Sequence, residues 1–361
     1  MRVLRMRALN RAKLLWGYLR RKSVVGGLPV EYIVETTAKC NLYCPMCPRE
    51  THKQPKEDMP DRIFNRLVQE SGHSAEHMML IGLGEPFLDP KIFSRIEYCD
   101  RHNISTLLST NGTLLDEASA DKILRSPLEH ITLSFDGSTK ESFEYYRKGA
   151  RFERVRDNFV RFSRMKHERK AKVQVVVQMV RMDRNWNEAE EFARFWSAVP
   201  GVDQVRIKAD ETNLMHPEGG HAPDDWKHPC HYLWRGPMYV KHNGDVYPCC
   251  QSYMLDLAPV GNIGREGLPE IWNGEPMRRM RELHAQKRAG EIDACAKCFT
   301  TIPHPVLVAG SLLLHGRTVR RLLPAVERLV YLSKLPGRLL RPPKPPAPPA
   351  QREDLVQIET K

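Results

Sequence analysis

Seven of the nine cysteines in this 361-residue chain fall into two groups with the spacing of metal ligands, and this constrains the fold more than any other feature. Sulfurs that share an inorganic centre must converge. One short loop must therefore curl on itself, and four distant positions must meet at a second point. The first group is Cys40-Asn-Leu-Tyr-Cys44-Pro-Met-Cys47, in the loop after a β-rich run, and the second is Cys230, Cys249, Cys295 and Cys298. Soft thiolates at such spacing suit iron or zinc. Their grouping argues for a reducing cytosol and against a secreted disulfide framework.

From Val30 to about Asp210, β-rich runs alternate with helix-period segments, which predicts a parallel sheet with outer helices. Six strands are expected, at Val30–Thr37, Met78–Leu83, Ile104–Ser109, Ile131–Phe135, Val173–Val180 and Val205–Ala209. Crossover helices such as Arg62–Glu70 and Glu188–Ala198 lie between them. The expected fold is α/β: a partial (β/α)6 TIM-type barrel over residues 29–210, then a small Cys-ligated auxiliary-cluster domain over 211–303. Residues 1–28 read as a basic helix with Leu4, Ala8, Ala12, Leu15 and Leu19 at helical spacing, packing on the core or fraying rather than adsorbing to a membrane. Residues 304–361 read as an apolar, basic and Pro-rich tail with six prolines between Arg341 and Ala350.

The formal charge of +12 suggests nucleic acid until it is divided along the chain. Residues 1–30 hold eight Lys or Arg and no acid, and residues 311–361 hold ten basic and four acidic residues. The stretch between them is slightly acidic, so a polyanion groove on the folded core is not expected. No transmembrane span is expected either, because the longest uncharged stretch, Cys298–Gly316, is broken by Pro303, His304 and Pro305.

Three thiolates in one loop can hold three irons of a four-iron cube, leaving the last iron to bind a second molecule. A zinc site completed by His52 or another group is the alternative. Three further segments follow in order: Gly84-Glu85-Pro86 after strand two, Ser109-Thr110-Asn111-Gly112 after strand three, and Ser134-Phe135-Asp136-Gly137 ending strand four. Together with the cysteine loop they resemble the radical S-adenosylmethionine (SAM) enzymes. That resemblance implies a 4Fe-4S cluster whose open iron chelates SAM, and electron transfer that cleaves SAM to a 5′-deoxyadenosyl radical. It also implies a reductase or flavodoxin-type electron donor. Gly84 and Glu85 would then meet the methionyl amino group, and Ser109, Asn111 and Ser134 the ribose or carboxylate. Gln178 on strand five is a further adenosine or carboxylate contact, all at the C-terminal mouth of the barrel.

Cys230 and Cys249 flank an expected hairpin with Asn243-Gly244 at its turn. With Gly244-x4-Cys249, Gly261-Asn262-Ile263, Trp272 and the closing Cys295-x2-Cys298, the pattern resembles the SPASM or shorter twitch domain of this family. The resemblance implies one auxiliary 4Fe-4S cluster. A structural four-cysteine zinc site is the alternative. Cys99 reads as a small buried apolar residue. Cys250 points away from Cys249 if the strand is extended, and is a candidate hydrogen-atom donor. Lys208, near the end of strand six, is a candidate to bind a hydroxyl, carboxylate or phosphate.

The resemblance implies an oxidoreductase of dehydrogenase or epimerase type that abstracts hydrogen from a substrate C–H bond. With one auxiliary cluster, and only a helix and linker before Cys40, a small molecule, sugar, cyclitol, glycan or lipid-linked sugar is expected as substrate. A peptide-modifying maturase is the runner-up. A zinc-stabilised binding or adaptor protein is the alternative of another class. The expected location is the cytoplasm, with peripheral membrane contact through the basic tails.

Overall fold

On the first strand Tyr32 and Val34 pack to one side and Ile33 to the other, and this period of two, repeated from strand to strand, sorts the molecule into faces. The computed structural model describes residues 2–49, 56–209, 228–252, 257–298 and 302–313. Its strands are β1 (Glu31–Val34), β2 (His77–Met79), β3 (Ser105–Thr110), β4 (His130–Ser134), β5 (Gln174–Arg181), β6 (Gln204–Ala209), β7 (Met238–Val240), β8 (Asp245–Tyr247) and β9 (Gly261–Asn262). They form one sheet in the order β6-β5-β4-β3-β2-β1-β7-β8-β9.

Strands β1 to β6 run parallel, as the alternating pattern predicts. The helices between them bury their apolar stripes on one face of the sheet. Asp61–Ser71 contributes Ile63, Phe64, Leu67 and Val68. Phe152–Glu168 contributes Val155, Phe159 and Phe162, and Ala189–Ser197 contributes Phe192 and Trp196. Strands β1 and β2 are shorter than their β-rich runs. Past Val34 the chain turns away to bridge Thr37 with Asp58, where the Thr37 hydroxyl donates to the Asp58 carboxylate at 2.7 Å.

The second cysteine region does not build a sheet of its own. Strand β7 pairs in parallel with β1, with Ile33 opposite Tyr239, and β7, β8 and β9 continue antiparallel. The β7–β8 connection runs over Asn243-Gly244 as the sequence predicts, and Gly244 takes φ +90°, a conformation open to glycine and strained for other residues. Residues 210–227, at the expected domain boundary, lie outside the described residues, as do His52 and 314–361.

The N-terminal helix Arg2–Leu19 corrects one expectation. It does pack on the core, through Leu14 and Tyr18, but the stripe read from the sequence faces outward. Leu4, Ala8, Ala12 and Leu19 are exposed and Leu15 is half-buried. Two polar side chains fasten the inner face instead. Arg7 donates to the carbonyls of Asn103 at 2.8 Å and Gly72 at 3.2 Å, and Asn10 exchanges two 2.8 Å hydrogen bonds with the Leu28 backbone. Buried groups of this kind are costly to leave unpaired, so their bonds help to fix the helix in place.

Candidate functional site

The alternation that buries Tyr32, Met78, Leu108, Leu133 and Val177 against the helices leaves a second set on the opposite face of the sheet. Across β1, β2, β7 and β8 this face is apolar, with Ile33, Tyr239 and Tyr247 clustered with Met79, Ile81, Cys250 and Leu257. Across β3 to β6 it is mixed, with Leu107, Val176 and Val180 set among polar side chains. Ser109 and Ser134 lie 3.1 Å apart through their hydroxyls, Ser134 is in register with Gln178, Gln178 with Arg206, and Val180 with Lys208. Ser109, Ser134 and Gln178 are thus brought together on adjacent strands.

The first cysteine loop leaves β1 and sits at the strand ends. It is held on all sides. The Arg49 guanidinium donates to the Leu42 carbonyl at 2.7 Å, and the Tyr43 N–H to the Lys148 carbonyl at 2.9 Å. Asn41 accepts from Asn111 Nδ2 at 2.9 Å. Gly84 has a steric reason to be glycine: a Cβ there would lie 2.1 Å from the Thr37 carbonyl oxygen. The Glu85 N–H then donates to the Lys39 carbonyl at 2.7 Å, tying the β2 loop to the entrance of the cysteine loop.

Glu85, expected to meet the methionyl amino group, is also bonded within the protein. Its carboxylate is buried and already accepts from the Thr110 hydroxyl at 2.7 Å, the Asn111 N–H at 2.8 Å and the Phe87 N–H at 3.3 Å. Burial outweighs these bonds and raises its pKa. Asn111 is committed as well, its Oδ1 accepting from Thr113. Both side chains fix the loops around the pocket.

Burial raises the pKa of Cys40, Cys44 and Cys47, Cys44 to about 11, and the other two thiols add to the shift at Cys44. Beside them lies a cation that spacing rules do not reveal. Burial works against the charge of the Arg147 guanidinium, but Asp136, Cys44 and Cys47 together hold it strongly protonated. Its Nε donates to Asp136 at 2.6 Å, and its field reaches Cys40, Cys47 and Glu85.

The second set also gathers. Burial, then Cys249, Cys295 and Cys298, raise the pKa of Cys230 well above its ordinary value. Burial raises Cys249 to about 11 and raises Cys295 further, with Cys249 and Cys298 adding to it. Crowded, buried thiols of this kind keep their protons until soft metal ions displace them. Among the described residues, no three His, Cys, Asp or Glu side chains are placed to hold a single ion. The thiols of each set lie close enough to raise one another's pKa, as ligands of one shared centre must.

Cys249 and Cys250 follow β8 in a turn, not an extended strand, and the turn separates them. Cys249 joins the other three thiols, whereas Cys250 packs with Tyr239 and Tyr247 on the concave face and bonds the Tyr232 side chain. Lys208 is exposed on β6, the edge strand at the other end of the sheet order from β7, β8 and β9, so strand pairing does not place it beside Cys250.

A second feature without a sequence motif is Glu35, fully buried just after β1. Its Oε2 accepts from the Tyr239 hydroxyl at 2.7 Å and the Leu83 N–H at 3.0 Å, and its Oε1 lies 2.8 Å from His242 Nδ1. Burial alone would raise its pKa, but the bonds from His242, Leu83 and Tyr239 together lower it. A carboxylate interrupting an apolar run is the one sign the sequence gives of it.

A partial parallel barrel with three thiols at its strand ends and a four-thiol domain on its flank defines a class. Residues 34–195 match the radical SAM superfamily, and residues 230–299 match the SPASM iron–sulfur cluster-binding domain. The chain is a radical SAM enzyme with a C-terminal SPASM domain, and its cofactors are SAM and 4Fe-4S clusters. Two relatives align over most of their lengths. The PqqA peptide cyclase of Gluconobacter oxydans is 24% identical over 70% of this chain and 78% of its own. The mycofactocin maturase MftC of Mycobacterium ulcerans is 26% identical over 76% and 85%. In fold alone the chain is similar to Streptococcus suis SuiB bound to its precursor peptide SuiA, with TM-score 0.56 and 15% identity over 82% of this chain and 72% of that one. It is also similar in fold to anSMEcpe with AdoMet and a Cp18Cys peptide, with TM-score 0.55 and 18% identity over 84% and 99%.

Proposed function

We propose that this radical SAM enzyme modifies a peptide, abstracting hydrogen from a side chain or backbone carbon held on the concave face. The observation that carries this reading is the apolar half of that face, where the half-buried Met79 and Ile81 pack against the buried Ile33, Tyr239 and Tyr247. It suits peptide side chains, whereas a polyol needs a dense set of hydrogen-bonding groups. One of the two long-aligned relatives is by name a peptide cyclase, which supports the same substrate class. This reading replaces the sugar or cyclitol substrate, and with it the dehydrogenase or epimerase type, expected from the cysteine count.

Within it, Cys40, Cys44 and Cys47 hold the SAM-binding cluster, and Cys230, Cys249, Cys295 and Cys298 the auxiliary one. When bound, the reduced cluster and SAM supply the radical that abstracts hydrogen. Ser109, Ser134 and Gln178 offer hydrogen bonds to the nucleoside, and Arg147 offers a buried cation to the methionyl carboxylate. Gly84, Glu85 and Asn111 shape the loops around it. Cys250 is set against the substrate side as a hydrogen donor, and Lys208 on the sheet edge meets the far end of a long substrate. A reductase or flavodoxin-type donor in the cytoplasm supplies electrons. The test is anaerobic turnover with dithionite and SAM in the presence of a library of synthetic peptides, with sugars and cyclitols assayed in parallel. Peptide-dependent 5′-deoxyadenosine, with a peptide product changed in mass, is expected. A response to sugars or cyclitols with none to any peptide sinks the reading. Full product formation by Cys250→Ala removes Cys250 from it.

A further inference from the structure

The N-terminal helix is built with two working sides. Its inner side is fastened by Arg7, Asn10, Leu14 and Tyr18. Its outer side carries large apolar residues that touch nothing comparable: Leu4 is 70% exposed, Leu9 59%, Trp16 55% and Leu19 54%. Ala8 and Ala12 fill the row between them. Arg5 lies within this arc and Lys13 and Arg20 border it, all three exposed. Arg20 and Lys22 stand 5.2 Å and 6.0 Å from the Trp16 ring. The helix packs against Pro305–Leu313, which exposes Val306 and Leu313 in turn.

We propose that this outer face docks the enzyme on an anionic membrane surface. Three observations choose a lipid surface as the occupant. The exposed apolar residues run along one side of a single helix, an arrangement that suits a planar surface. Its apolar arc is bordered by cations, with an indole at the boundary, the arrangement that seats a helix between acyl chains and headgroups. The first 30 residues carry no acid, and while Arg7 and Arg11 bond inward, Arg5, Lys13 and Arg20 are exposed, which complements negative headgroups. No helix among the described residues is long and apolar enough to cross a membrane, so the contact is a docking one. The proposal is independent of the substrate class.

The test is cosedimentation of the full chain with phosphatidylcholine vesicles, with and without an equal part of phosphatidylglycerol. Binding to the anionic vesicles, weakened by salt, is expected, together with a blue shift in Trp16 fluorescence that Trp16→Phe abolishes and Trp186→Phe leaves. The double variant Leu9→Glu/Trp16→Glu alters only exposed side chains. It is expected to bind about tenfold or more weakly while keeping the parent's helical circular dichroism and SAM cleavage. Unchanged binding by that variant assigns the affinity to the C-terminal basic residues and overturns the proposal. Absence of binding to anionic vesicles at low salt overturns it too, and a loss of self-association in the double variant then assigns the outer face to a second copy of the chain.

Discussion

Glu35 is fully buried, so its charge rests on Tyr239, His242 and the Leu83 N–H. Its pKa is lowered in the folded chain. The stability it contributes is therefore complete above the ordinary carboxylate value of about 4.3, and is lost as pH falls through the lower folded value. Urea titrations should find Glu35→Gln less stable than the parent at neutral pH, with the gap closing on acidification below about pH 4. A constant gap would show that the charge is irrelevant. Glu85 has the opposite sign: its raised pKa means that its cost emerges as pH climbs through the folded value. Arg147 offers a test through affinity. Arg147→Lys keeps a charge but loses the planar fork, and should weaken SAM binding by ~10-fold or more while leaving the iron content intact. Unaltered affinity would remove Arg147 from the SAM site. Neither Glu35 nor Arg147 was legible as a site residue, because long-range packing sets their neighbours: Tyr239 lies 204 residues from Glu35.

The elements themselves were more legible. All six barrel strands and the Asn243-Gly244 hairpin follow from periodicity and turn chemistry, since each is decided by residues close in sequence. The orientation of the N-terminal helix was not, because hydrogen bonds from Arg7 and Asn10 overrode its apolar row. Arg281 has a comparable part in the second region. It is fully buried, with its pKa lowered by burial to about 9. It donates to the carbonyls of Leu233, Ser23 and Trp272 at 2.7, 2.9 and 2.8 Å, and to Asn273 Oδ1 at 3.2 Å. One side chain thus pins the segment after the first helix, the helix after Cys230, and the turn after Trp272. Arg281→Met leaves these acceptors unpaired and should cost ~3 kcal/mol or more, read as a lower urea midpoint. A neutral result would mean that water replaces the guanidinium.

At the scale of the whole molecule, two cubes require about eight irons per chain. Cys295→Ser should bring that to about four while preserving dithionite-dependent SAM cleavage without substrate. Cys44→Ser should abolish the cleavage. Loss of all iron in Cys295→Ser would mean that the two sets do not load independently. The cysteine spacing made both sets legible. The pairing of β7 with β1 was not, since a parallel partner some 200 residues away leaves no local mark. That pairing has a mechanical consequence. The strand that delivers the first cysteine loop and the strand that opens the second cysteine hairpin are laced edge to edge. The spacing between the two cysteine sets is thus tied to the backbone hydrogen bonds of one sheet and not to the length of a linker.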